Sequence, residues 1–350
     1  MQNNDGLIAL LGSGETSLAG GRVFESIAQN LPRPLRVALL ETPAGFELNS
    51  PQVAGRVGEF LKTRLQAFNP QIDVVPARKR GTAFSPEDAS VLTPLLTADL
   101  IFMGPGSPTY AVRQLKGTLA WDLVRARHRQ GAALVFASAA TISVGAWALP
   151  VYEIYKVGQD VQALPGLDLF ADFGLALSFI PHWNNTDGGA DVDTSRCFVG
   201  LERFSQWCDM LPPGFTTVGL DEHTGLIIDF QAGKCRVSGV SSVTLLRECN
   251  PEIYPSGAEF SLSELGEVRW PGNPEEGIPA PVWELIRTAP QPDGSETPAE
   301  VLQLLEERRL ARARKDWAES DRLRKLVNEL GWQIQDTAEE QILTKSVGTK

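Results

Sequence analysis

Five short apolar runs, each separated from the next by enough chain for a helix, constrain this sequence more than any other feature. Residues 7–11, 35–40, 72–75, 100–103 and 133–137 read as buried strands. Between them, residues 20–30 and 51–68 carry apolar positions at helical spacing, Val53, Val57, Phe60, Leu61 and Leu65 among them. Ser85-Pro86 and Ser107-Pro108 each place a serine at an N-cap and a proline at N1, so both predict helix starts. Strands alternating with helices predict an α/β fold, a mainly parallel sheet with helices on both faces. Function in such sheets gathers at the carboxyl ends of the strands. Three loops meet that rim: 12–14, 104–107 and 137–141.

The fifth run carries the sharpest chemical signal. Residues 134–137 end in Ser138-Ala139-Ala140-Thr141, small residues that turn a strand into a helix and expose a serine at the turn. A serine hydroxyl needs a base. Among the three histidines, His128 lies in a basic helical run (Arg125, Arg127, Arg129) and reads as solvated surface, and His223 lies between two strands. His182 follows a strand expected to end on the functional rim and is the best base. The acid that orients it is expected to be Glu153, the nearest carboxylate after Ser138, with Asp160, Asp168 and Asp172 as rivals. Backbone donors for an oxyanion are expected from Ala139 and from Gly106 or Ser107, since Pro105 has no N–H.

Residues 175–183 read as a further strand, 194–210 as a helix, and 217–221, 225–230, 234–240 and 243–247 as strands that finish the sheet, making 1–249 one α/β domain. Residues 250–296, rich in Pro, Gly, Ser and Glu, read as a linker. Thr297-Pro298-Ala299-Glu300 is a capping-box start for a helical hairpin over 297–338, closed by Gly331, and 339–350 is expected to be a disordered tail. A net charge of −11 argues against broad nucleic-acid or acidic-membrane binding. No secretion signal or membrane span is predicted, so the four cysteines (Cys197, Cys208, Cys235, Cys249) are expected to be reduced thiols of a cytoplasmic protein. No zinc, calcium or dinucleotide fingerprint is present, and neither cofactor nor metal is expected.

Gly104-Pro105-Gly106-Ser107-Pro108-Thr109, Ser138-Ala139-Ala140, Pro181-His182 and Val218-Gly219-Leu220-Asp221-Glu222-His223-Thr224 occur in an order that resembles the cyanophycinase and peptidase E family. That resemblance covers about residues 5–248. It implies a class I glutamine-amidotransferase-like (flavodoxin-like) fold and a serine peptidase cleaving a small peptide or amide through Ser138, His182 and Glu153. Glu222 and its neighbours would support the substrate site, and Arg196 would meet a substrate carboxylate. The sequence departs from the family's Gly-x-Ser-Ala-Gly pattern at Phe136 and Ala140. Residues 311–337 are similar to the C-terminal module of cysteinyl-tRNA synthetases. That likeness makes tRNA or a protein partner a candidate contact of 297–338 through Arg312, Arg314, Lys315, Arg322 and Arg324. A salt-bridged hairpin used for packing or for a homodimer is the alternative, with an inactive peptidase-like binding protein as the second functional reading.

Overall fold

The computed structural model describes residues 4–247, 250–289, 299–336 and 341–345. The chain divides into two compact units, Met1–Pro290 and Gln291–Lys350. The first begins β1 (Ile8–Leu11), α1 (Leu18–Ala28), β2 (Arg36–Leu40), α2 (Ser50–Arg64), β3 (Gln71–Val75), β4 (Leu100–Met103), α3 (Pro108–Leu115), α4 (Leu119–Arg129), β5 (Ala133–Ala137) and α5 (Ala139–Ser143). It continues through β6 (Trp147–Ala148), α6 (Val151–Tyr155), β7 (Leu164–Pro165), β8 (Leu177–Ile180), α7 (Gly200–Asp209), β9 (Thr216–Leu220), β10 (Thr224–Asp229), β11 (Lys234–Gly239) and β12 (Ser242–Arg247). It ends with β13 (Asn250–Pro255), β14 (Glu259–Ser261) and α8 (Ala280–Thr288).

Strands β1, β5, β4, β2 and β3 pair in parallel, and β10, β11 and β14 extend the same sheet antiparallel from the β1 side. Side chains alternate between the two faces. Ile8, Leu10, Leu134 and Phe136 enter one core with Trp121 and Val124 of α4 and Trp283 of α8. Ala9, Leu11, Val135 and Ala137 enter the other with Phe24 and Ile27 of α1 and Leu61 of α2. A strand buried on both faces is apolar at every position, which is why these runs show no alternation in the sequence. Phe136 is therefore a core residue, 1% exposed, on the helix-covered face of β5.

Several sequence expectations change. The strand before His182 does not join the large sheet: β8 pairs in parallel with β9, and with β12 and β13 they form a second, four-stranded sheet. The run after Ser85 caps no α-helix; Ser85 Oγ accepts the Glu87 N–H, but turns follow, then a 3₁₀ turn at Thr93–Leu96. The helix expected over 194–210 starts only at Gly200, because residues 196–198 take positive φ. His128 is not solvated: it is 1% exposed, its Nε2 donates to the Gly6 carbonyl, and the basic run around it is turned inward, with Arg125 on Asp122 and Asp172 and Arg127 on the Ala98 carbonyl.

The segment expected as a linker is structured up to residue 289. β13 is an edge strand, where Pro251 and Pro255 cost no ladder bond on the open side. Phe260, Leu262, Leu265, Val282, Trp283 and Ile286 join the core. Residues 290–296 lie outside the described residues. In the second unit, α9 (Ala299–Ala313) and α10 (Trp317–Glu329) form a helical hairpin followed by β15 (Trp332–Asp336). β16 (Gln341–Lys345) pairs antiparallel with β15, so part of the expected tail is a strand. Val301, Val327 and Ile334 pack at its centre. No helix among the described residues is long and apolar enough to cross a membrane.

Candidate active site

Ser138 sits between β5 and α5 with φ 53° and ψ −115°. A non-glycine residue there is strained and persists only where its surroundings fix it. Three bonds do so. The Ser138 N–H reaches the Leu11 carbonyl at 3.2 Å, and the Thr141 hydroxyl reaches the carbonyls of Leu11 and Phe136 at 3.0 Å each. Although Ser138 precedes α5, its side chain does not cap that helix. Its Oγ lies instead 3.0 Å from His182 Nε2.

His182 follows β8 with φ 48°, and its N–H is directed at the Gly12 carbonyl at 3.3 Å. Its Nδ1 is 2.8 Å from Glu222 Oε1. The same oxygen accepts the Asn185 Nδ2 at 2.9 Å, and Asn184 Oδ1 accepts the Glu222 N–H at 2.8 Å. The Asn184-Asn185 pair thus grips residue 222 at its backbone and at its carboxylate. Burial works to raise the Glu222 pKa. Hydrogen bonds from Asn185 and His182, with the nearby imidazoles, overcome it and hold the carboxyl below its ordinary range.

The turn 221–224 shows why Glu222 is free for this role. Asp221, 6% exposed, accepts from Ser241 Oγ, Ser242 N and Ser242 Oγ, and Thr224 Oγ1 accepts the Ser241 N–H. These anchors hold the turn while Glu222, between them, reaches His182. Gly219 belongs to the same construction: a Cβ there would stand 2.4 Å from the Trp183 ring, the residue next to His182.

The expected third member, Glu153, is placed elsewhere. Its Oε1 accepts the Thr109 hydroxyl, which also contacts Ser107 Oγ, and its Oε2 is buried without a partner. The imidazole Nδ1 is met by Glu222, the residue expected to support substrate. Arg196 is also diverted: its guanidinium lies 3.9 Å over the Trp183 ring, with Nη1 on the Trp183 carbonyl at 3.0 Å. Ser107 loses its role as a backbone donor, because its N–H is bonded to the Pro43 carbonyl at 2.9 Å and its Oγ caps α3. Gly106 has φ 147°, and a Cβ there would stand 2.1 Å from the Pro43 oxygen, so only glycine lets the loop approach. Neither the Ala139 nor the Gly106 N–H is bonded to a protein acceptor among the described residues.

Across 75% of this chain and 98% of that one, the fold is that of a crystal structure of a peptidase from an acI-B1 Actinobacterium, at TM-score 0.59 and 18% identity. A Listeria monocytogenes structure described under peptidase E aligns at TM-score 0.44 and 15% identity over 73% of this chain and 99% of its own. The first likeness shows the fold. At the other end, the family model for the cysteinyl-tRNA ligase anticodon binding domain matches residues 295–342. Over 53 residues the chain is 47% identical to the cysteine–tRNA ligase of Methanosarcina mazei and 45% identical to cysteine–tRNA ligase 1 of Burkholderia lata. Each match covers 15% of this chain and 11% of the ligase, so the chain spans about a tenth of the length of these curated relatives.

In that C-terminal unit the basic residues are largely engaged. Arg322 pairs with Glu319, Arg312 lies over Trp317, and Arg324 Nη2 donates to the Ile334 carbonyl.

Proposed function

We propose that the protein is a cytoplasmic serine hydrolase acting on a small peptide or amide, with Ser138 as nucleophile, His182 as base and Glu222 as the carboxylate that orients it. The observation that carries this reading is the unbroken relay from the strained Ser138, whose Oγ lies 3.0 Å from His182 Nε2, to Glu222, whose Oε1 lies 2.8 Å from His182 Nδ1. His182 takes the hydroxyl proton as Oγ attacks the carbonyl, and Glu222 holds the tautomer and stabilises the imidazolium. The N–H groups of Ala139 and Gly106 are the donors we assign to the oxyanion. His182 then returns the proton to the leaving amine, and water resolves the acyl-enzyme. A fluorophosphonate probe is expected to label the wild type at Ser138 and to leave Ser138→Ala unlabelled. A folded wild type that resists labelling removes the proposal.

A second reading applies to the C-terminal unit, on the match of residues 295–342 to an anticodon binding domain. Here the unit contacts tRNA, and truncation at residue 290 is expected to abolish a gel shift with unfractionated tRNA. An unchanged shift, or none with the full chain, rules it out.

A further inference from the structure

The loop between His182 and α7 contains three consecutive non-glycine residues at positive φ: Arg196 at 59°, Cys197 at 61° and Phe198 at 70°. L-residues visit this region singly, so a run of three is costly and must be held in place. The hold is visible. The Arg196 and Cys197 N–H groups donate to the Trp183 and His182 carbonyls at 3.0 and 3.1 Å, and the Phe198 N–H to the Thr194 carbonyl at 2.9 Å. Asp193 fixes both flanks by accepting from Ser195 N and Leu201 N. The turn carries the Phe198 ring to 5.3 Å from the His182 imidazole, and Tyr155, 44% exposed, lies 5.7 Å beyond it.

That position has a chemical meaning. The histidine that deprotonates the serine later protonates the leaving amine, so the part of the substrate beyond the scissile bond lies on the histidine's side. Beside the imidazole stands the Phe198 ring, with the Tyr155 ring against it, while the Arg196 guanidinium is turned onto Trp183 and the Glu222 carboxylate meets the imidazole Nδ1. Such a surface suits apolar bulk and repels a carboxylate.

We propose that Phe198 and Tyr155 form the leaving-group subsite, and that the residue following the scissile amide is a large apolar one. This rests on the hydrolase reading above. A peptide library with the acyl-side residue randomised and the leaving residue fixed tests it. Leucine and phenylalanine are expected to be released about tenfold faster than glycine or aspartate, with Phe198→Ala and Tyr155→Ala each reducing that ratio and Phe198→Leu keeping most of it. A preference for glycine or aspartate, or a ratio that neither alanine variant moves, overturns the proposal. A second arm needs no turnover. In Ser138→Ala, phenylalaninamide is expected to shift the His182 ring resonances saturably and glycinamide to leave them in place. Equal responses, or none, overturn the subsite even where labelling of the wild type succeeds. A saturable response with an unlabelled wild type leaves the subsite standing and removes only the hydrolase reading.

Discussion

Glu222 Oε1 receives two N–H donors, one from the His182 imidazole and one from Asn185, itself 2% exposed. On the proposed mechanism Asn185 touches no reacting atom and is a positioning residue. Its bond helps hold Glu222 ionised, and a carboxyl with a depressed pKa stays charged further into acid. In Asn185→Ala the acid limb of the fluorophosphonate-labelling profile is expected to move to higher pH. The neutral-pH rate should fall about fivefold, the worth of one hydrogen bond near 1 kcal/mol. A superimposable profile removes the role. The meeting of Ser138 with His182 was legible in the sequence because a small-residue turn and a strand-terminal histidine are local patterns. The contact of Glu222 with His182 was not, although Glu222 was placed near the substrate. Its assignment depends on Asp221 and Thr224 anchoring a turn against Ser241 and Ser242, partners that chain order alone does not reveal. Glu153, nearer in sequence, lies on α6 and is engaged by the Thr109 hydroxyl instead.

Among the elements, β5 decides whether the departure at Phe136 matters. Strand alternation sends that ring into the core with Phe170 and Phe179. Phe136→Ala is expected to cost about 3–5 kcal/mol of unfolding free energy, read from denaturant curves. Unchanged stability with faster probe labelling would mean that the ring obstructs the site. The parallel strands were readable because burial on both faces leaves unbroken apolar runs. The misread elements are those where composition and context diverge. Prolines that mark a linker are equally at home on the outer strand of a sheet, as in β13. The delayed start of α7 follows from a left-handed turn that no propensity encodes.

For the molecule as a whole, His128 links the core to pH. It is fully buried among Phe173 and Phe230, and burial pushes its pKa down to about 4. Between the unfolded value near 6.5 and about 4, the unfolded chain binds the proton and the native one does not, so stability rises with pH across that window. Acidification through it is expected to remove about 3 kcal/mol. His128→Gln, which keeps a donor for the Gly6 carbonyl but cannot titrate, should flatten the dependence in chemical denaturation at pH 7 and pH 5. An equal slope in both proteins assigns the acid sensitivity elsewhere.

Ser138 rises from the large sheet, whereas His182 and Glu222 come from loops after β8 and β9 of the smaller one. Neither sheet alone holds the three residues. On the proposed mechanism, a chain emerging during synthesis, or one part-way through refolding, would carry an inert serine until the two sheets had docked. Reactivity toward a fluorophosphonate would then report that docking as well as the chemistry.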